Sequence, residues 1–192
     1  MKPLDTADAR QVILCNQVGE PTGTSDIVAA HQDDGQLHLA FSVFVFRQTD
    51  KGLEVLIQQR SEHKVLFAGH WANTCCSHLA PDDKDICEVG QRRLKEECGF
   101  TVPLQVAGTF VYRASDSRAG GTEYEHDTVL VGHASADVQI QTDPSEIADY
   151  KWVTPHQLRH AFEQNEADFA PWFRPALEYA VSSISGPTIP AA

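Results

Sequence analysis

The sequence predicts a single α+β domain built in layers. Strand patterns dominate the middle of the chain, helix patterns close it, and the two do not alternate as a parallel βαβ array would require. The 192 residues, 42% of them hydrophobic, suffice for one ordinary core and leave little for a second. Taken in order, residues 12–16 (VILCN) read as a short strand and residues 19–24 (GEPTGT) as a turn, from their Gly and Pro. Residues 37–47 make a long strand, expected to be central and buried. Its alternation sets His38, Ala40, Ser42, Phe44 and Phe46 on one face and Leu39, Phe41, Val43 and Val45 on the other. A Thr-Asp-Lys-Gly turn then returns residues 53–60 as the second arm of a hairpin. Residues 83–100 are a helix, with an Asp-rich start, apolar Ile86, Val89 and Leu94, and Gly99 as the stop; Gly90 weakens it slightly. Strands follow over 104–112, 123–134 and 147–153, then helices over about 155–164, behind Thr154-Pro155, and about 171–183, opened by Pro171. The core spans about 12–183, and residues 184–192 read as a frayed tail.

Composition restricts the function classes. A net charge of −12 opposes a general nucleic-acid surface, which needs clustered Lys and Arg to displace counterions. No charged-then-apolar signal pattern opens the chain, and no apolar run approaches the roughly 18 residues of a spanning helix, so no membrane partner is expected. Five cysteines, at 15, 75, 76, 87 and 98, form no disulfide framework and favour a reducing compartment, hence the cytoplasm.

The stretch HWANTCCSHLA (70–80) sets Cys75 and Cys76 side by side, two residues ahead of His78. Adjacent cysteines do not readily bond to each other, and a lone Cys-x-His falls far short of a zinc-finger pattern, which leaves nucleophile, ligand or buried filling. Arg60, Lys64, Arg92, Arg93 and Lys95 bracket it in an otherwise acidic chain. Arg92 and Lys95 read as a solvated helix face, whereas Arg60, Lys64 and Arg93 suit a pocket for an anionic small molecule. If the stretch is extended, Cys75 and Cys76 face opposite ways. Glu123 and Glu125, two apart on a strand, share a face, and a turn through Asp33-Asp34-Gly35 can fold His31 back toward His38.

RRLKEECGF (92–100) resembles the end of the Nudix box, matched by Arg92, Leu94, Glu96, Glu97, Gly99 and Phe100. Residues 93 and 97 share a helix face, so Arg93 and Glu97 can point at one phosphate–metal cluster. Where a Nudix hydrolase has its first Gly, its isolated Glu and the Glu of its Arg-Glu pair, this chain has His78, Lys84 and Arg93. Two lost carboxylates and two gained cations remove Mg²⁺ ligands that hydrolysis uses, which favours a non-hydrolytic relative.

With PTG…AAH…LHLAFSVFVF (21–46), QRSEHK (59–64), NTCCSH (73–78), YRASD (112–116), EYE (123–125) and APWF (170–173), the chain resembles the type 1 isopentenyl-diphosphate Δ-isomerases, a branch of the Nudix superfamily, from about residue 12 to 180. The resemblance implies a Nudix-type mixed sheet layered with helices, and interconversion of two five-carbon prenyl diphosphates by proton addition and removal. It implies His31, His38, His78, Glu123 and Glu125 as ligands of one Zn or Mn ion, and Glu97 as a partial ligand of Mg²⁺ arriving with the diphosphate. Cys76 aligns with the family's catalytic thiol, and Glu125 is its opposite partner, with the direction of proton transfer open between them. Tyr112 is expected to hydrogen-bond Glu125 and Trp172 to cover a cationic intermediate, with core packing the alternative for the indole. Arg60, Lys64 and Arg93 match the diphosphate clamp, and a monomer is expected. The chain departs from the family at Ile27, where many members have lysine, and at His78-Leu79-Ala80, where His-Pro is usual. A Nudix hydrolase and a non-catalytic binding protein of the same fold remain the rival readings.

Overall fold

The computed structural model describes residues 10–184, so the expected tail lies outside the described residues apart from Ile184, which closes the last helix. In chain order the elements are β1 (Gln11–Cys15), β2 (Pro21–Asp26), α1 (Ile27–Ala30), β3 (His38–Thr49), β4 (Gly52–Arg60), β5 (Trp71–Ala72), β6 (Cys75–His78), α2 (Ile86–Cys98), β7 (Leu104–Asp116), β8 (Gly121–Ala134), β9 (Ile147–Val153), α3 (Pro155–Asn165) and α4 (Phe173–Ile184). Every long element expected from the sequence is present, and the α+β class holds. Two expectations change. Pro21 to Asp26 is not a turn but a strand antiparallel to β1, and the reversal runs through Asn16–Glu20, with Gly19 left-handed at φ 81°. Proline is tolerated there because it opens the strand and needs no ladder donor. The cysteine stretch is likewise a strand, β6, held antiparallel to β3.

The nine strands form one mixed sheet organised on β3. β8 runs parallel to it from the His38–Glu125 pair to the Arg47–Ala134 pair, while β1, β6 and β4 pair with it antiparallel at successive positions. The alternation of β3 divides the core in two. Phe44 and Phe46 join Val55, Ile57, Val129 and Val131 under α3 and α4, whereas Phe41, Val43 and Val45 join Leu130 and Ile147 under α2.

Local chemistry sets the helix ends. Asp85 accepts hydrogen bonds from the Cys87 and Glu88 amides to open α2, and Gly99, left-handed at φ 78°, ends it. Thr154 and Gln157 close a capping box ahead of α3. Gly90 does more than weaken the helix: a Cβ there would lie 2.7 Å from Leu130 Cδ1 and 2.9 Å from Leu104 Cδ1, so its missing side chain lets α2 rest on the sheet. Gly90→Val is therefore expected to destabilise the domain by about 1–3 kcal/mol through overpacking, read as a lower midpoint in denaturant with unchanged slope. Among the described residues, no helix is long and apolar enough to cross a membrane.

Candidate active site

Register builds the site. On β3, β6 and β8, the cross-strand pairs Ala40–His78, Ser42–Cys76 and His38–Glu125 bring His38, His78, Cys76 and Glu125 to one face. β7 adds Tyr112 opposite Glu125. The α1 turn, capped by Asp26, supplies His31 from above. The sheet thus collects side chains from positions 31 to 125 in sequence.

The three imidazoles form a triangle with ring centroids 4.8, 5.1 and 4.9 Å apart. One ligand atom from each of His31, His38, His78, Glu123 and Glu125 lies within 4.8 Å of the others. Backbone carbonyls orient the rings: His31 Nδ1 donates to Ile27 O at 2.6 Å and His38 Nδ1 to Gln36 O at 2.7 Å, which directs both Nε2 atoms inward. His38 Nε2 is buried with no hydrogen-bond partner, a cost that a divalent metal ion in the group would remove. The donor set fits such an ion.

Charge in the group is uneven. Burial pulls the His31 ring down, but Glu123 at 2.9 Å more than offsets it and raises His31 to about 9. Burial prevails at His78, which is lowered to about 4, although Glu125 at 2.8 Å opposes the shift. Burial also works against Glu125, yet the His38 and His78 rings, at 3.6 and 2.8 Å, hold its carboxyl well below the usual range. Tyr112 donates to the other Glu125 oxygen at 2.5 Å. Burial pushes the Cys76 thiol up to about 12 despite Arg60, whose Nη1 lies 3.5 Å from the sulfur, so the resting pair is a thiol and a carboxylate.

Cys76 and Glu125 line one cleft together with Arg60, Lys64, Tyr112 and Trp172. Cys75 points away into the α2 core and is fully buried. The Trp172 indole donates to Asn73 at 3.0 Å, and its ring lies 5.7 Å from that of Tyr112 and 5.2 Å from the Arg60 guanidinium. It packs in the core and faces the cleft at once. Arg60 is 5% exposed and donates twice to Leu66 O, at 2.8 and 3.3 Å. Arg93 and Glu97 are not among the cleft-lining residues; they pair with each other at 2.6 Å, while Arg92 and Asp83 pair at 3.1 Å on the exposed helix face. A larger cavity of about 500 Å³ between His70, Phe162 and Arg174 contains none of the candidate catalytic, metal or diphosphate residues.

Three features were not assigned from the sequence. Asn73 anchors Trp172 and also donates to Cys75 O at 2.7 Å, fixing the cysteine strand from its start. Ser42 donates to the buried Asp127 at 2.6 Å beneath Glu125, and burial with the Glu125 charge raises Asp127 to about 8. Glu146 takes Lys64 at 2.6 Å and Arg93 at 3.2 Å. Asn73 stood in a quoted motif, but its partner lies 99 residues away, and no local pattern marks such a contact.

A sheet between helices, with an α2 whose end carries the Arg-x-Leu-x-Glu-Glu-x-Gly pattern, defines a class of protein: the NUDIX domain model matches residues 36–173. Solved structures agree in fold. A crystal structure from Deinococcus radiodurans aligns with a TM-score of 0.66 over 88% of this chain and 98% of the other, at 17% identity. The NUDIX domain of Shewanella oneidensis NrtR, complexed with ADP ribose, aligns at 0.59 over 76% and 87%, at 20% identity. Among curated proteins, the isopentenyl-diphosphate Delta-isomerase of Halorhodospira halophila is 40% identical over 85% of this chain and 90% of its own, and that of Nocardia farcinica 39% over 88% and 93%. The chain belongs to the isopentenyl-diphosphate Delta-isomerase family of NUDIX-domain proteins.

Proposed function

We propose that the chain converts isopentenyl diphosphate to dimethylallyl diphosphate by adding a proton to the terminal alkene carbon and removing one from the carbon on the other side of the resulting cation. The observation that carries this reading is the meeting of the Cys76 thiol and the Glu125 carboxylate in one cleft, above a five-ligand His/Glu group. A thiol and a carboxylate on different strands supply one group that gives a proton and one that takes it. Tyr112 orients Glu125 through its hydrogen bond, and Trp172 offers a π face to the cation between the two steps. Lys64 and the buried Arg60 line the cleft and suit the diphosphate, with Arg93 behind Lys64 through Glu146. The protein is read as a cytoplasmic monomer.

We assign a Zn or Mn ion to His31, His38, His78, Glu123 and Glu125, because three imidazoles with two carboxylates suit a borderline ion of higher coordination number. The ion would hold one Glu125 oxygen and leave the other for proton exchange. Mg²⁺ is assigned to the diphosphate, with Glu97 a partial ligand.

This metal assignment has a proton signature. In the metal-free protein, His31 is raised from 6.5 to about 9 by its Glu123 partner, so the pair stabilises the fold fully below pH 6.5 and loses that contribution as pH rises through about 9. An ion taking His31 Nε2 displaces the proton. Metal binding at pH 7.5 is expected to release about one proton, and none well above pH 9, as measured in weakly buffered solution. Equal release at both pH values would remove His31 from the ligand set.

The function is tested by incubating the protein with isopentenyl diphosphate and, separately, with a panel of nucleoside diphosphates. Conversion of the first with no phosphate release from the panel supports the isomerase. Phosphate release without conversion supports the hydrolase, and tight diphosphate binding without turnover supports the non-catalytic binder.

A further inference from the structure

Two cations of the diphosphate clamp are already engaged. Lys64 Nζ lies 2.6 Å from one oxygen of Glu146, and Arg93 Nη2 lies 3.2 Å from the other. The same Arg93 nitrogen lies 2.6 Å from Glu97, which is 2% exposed. Glu146 reaches this position because it ends the loop ahead of β9, where the Glu146 carbonyl accepts from the Ser61 amide and locks the loop to the segment carrying Lys64. Burial alone would raise the Glu146 carboxyl, but Lys64 and Arg93 more than offset it and hold it below the usual range. Arg93 Nε is buried without a partner, so the clamp also keeps an unused donor.

The geometry is that of a carboxylate seated between two phosphate-binding side chains, one oxygen to each. We infer that Glu146 is the clamp's built-in competitor: it fills the anion position between Lys64 and Arg93 when the cleft is empty and makes diphosphate binding conditional on a divalent cation. Lys64 and Arg93 already face the carboxylates of Glu146, Glu97 and, 2.6 Å from Arg93 Nη1, Glu96, so their charge is matched and an incoming diphosphate finds no net attraction from this pair. A divalent cation supplies the missing positive charge, and the carboxylates are hard oxygen donors suited to it. The arrangement also keeps Lys64 and Arg93 preorganised while empty. This inference rests on the clamp reading given above, but not on the isomerisation itself.

The test is calorimetric titration of the metal-loaded protein with inorganic pyrophosphate, with and without Mg²⁺, for the wild type, Glu146→Gln and Glu146→Asp. The wild type is expected to bind pyrophosphate measurably only with Mg²⁺. Glu146→Gln should gain Mg²⁺-free affinity by about tenfold or more, and the Mg²⁺ dependence should shrink. Glu146→Asp keeps the charge and should stay Mg²⁺-dependent. A merely structural role would lower affinity in every arm, because damage to the loop does not create a tighter anion site. Weaker or unchanged Mg²⁺-free binding in Glu146→Gln overturns the inference. A wild type that binds no pyrophosphate under either condition overturns it together with the clamp. Failure of isomerisation alone, with these binding results intact, overturns the catalytic reading only.

Discussion

Cys76→Ala is expected to abolish isomerisation, while Cys75→Ala keeps most of the activity. The two residues are neighbours, but β6 alternates, and its pairing with β3 sends them to opposite faces: Cys76 opposite Ser42 at the cleft, Cys75 opposite Val43 against α2. Losing one acid–base partner commonly costs about 10²–10⁴ in rate. Cys75 contributes packing instead. Replacing it removes one sulfur from a fully buried position and costs about 1–2 kcal/mol, so that variant is less stable yet active. Neither thiol belongs to the five-ligand group, and both variants should retain metal. The comparison is read as turnover at equal metal content. An inactive Cys75→Ala with an active Cys76→Ala would mean that the face assignment of β6 is wrong, and His78, two residues further on, would leave the ligand set with it.

The second large effect concerns the ion. His78→Ala and Glu123→Gln are each expected to lose the tightly bound transition metal and, with it, activity. His78 is tied to Glu125 at 2.8 Å and Glu123 to His31 at 2.9 Å, so each change removes one ligand and leaves another without its hydrogen-bond partner. Such losses commonly cost 10–100-fold or more in metal affinity. Elemental analysis of the purified variants reads this directly. Glu97→Gln separates the two cation roles: it should keep the tight ion and weaken only the Mg²⁺ dependence of diphosphate binding, because its nearest cation is Arg93 at 2.6 Å and it stands outside the His/Glu group. Full transition-metal occupancy in both His78→Ala and Glu123→Gln would exclude them as ligands.

Long periodic elements were legible because their patterns are local. The alternation of β3 already sorted Phe44 and Phe46 from Phe41, Val43 and Val45, and the two cores follow that division. Asp85 and Gly99 bound α2 for reasons visible in four residues of sequence at each end. Apart from β1, short elements were not legible. β2 carries the composition of a turn, and pairing with β1 decides in favour of a strand; α1 is four residues long, too short for any period to show. β6 has no β-branched run after Thr74, and its ladder with β3 makes it a strand. In the site, the residue types were visible in sequence and their contacts were not. Glu146 is the clearest case: it meets Lys64 and Arg93 across 82 and 53 residues, and as one acidic residue among many it carries no mark of its own. Gly90 read as a flaw in a helix until the Leu130 and Leu104 side chains beneath it gave the reason.

In the proposed reaction Cys76 and Glu125 exchange protons with a five-carbon alkenyl diphosphate. Incubation of the metal-loaded protein with isopentenyl diphosphate in D₂O, followed by NMR, tests it most directly, because deuterium entry reports proton transfer even where equilibrium hides turnover. The expected result is a second vinylic methyl signal from dimethylallyl diphosphate, with solvent deuterium entering that methyl group, and neither event in Cys76→Ala. Unlabelled isopentenyl diphosphate recovered after prolonged incubation with the wild type would contradict the account.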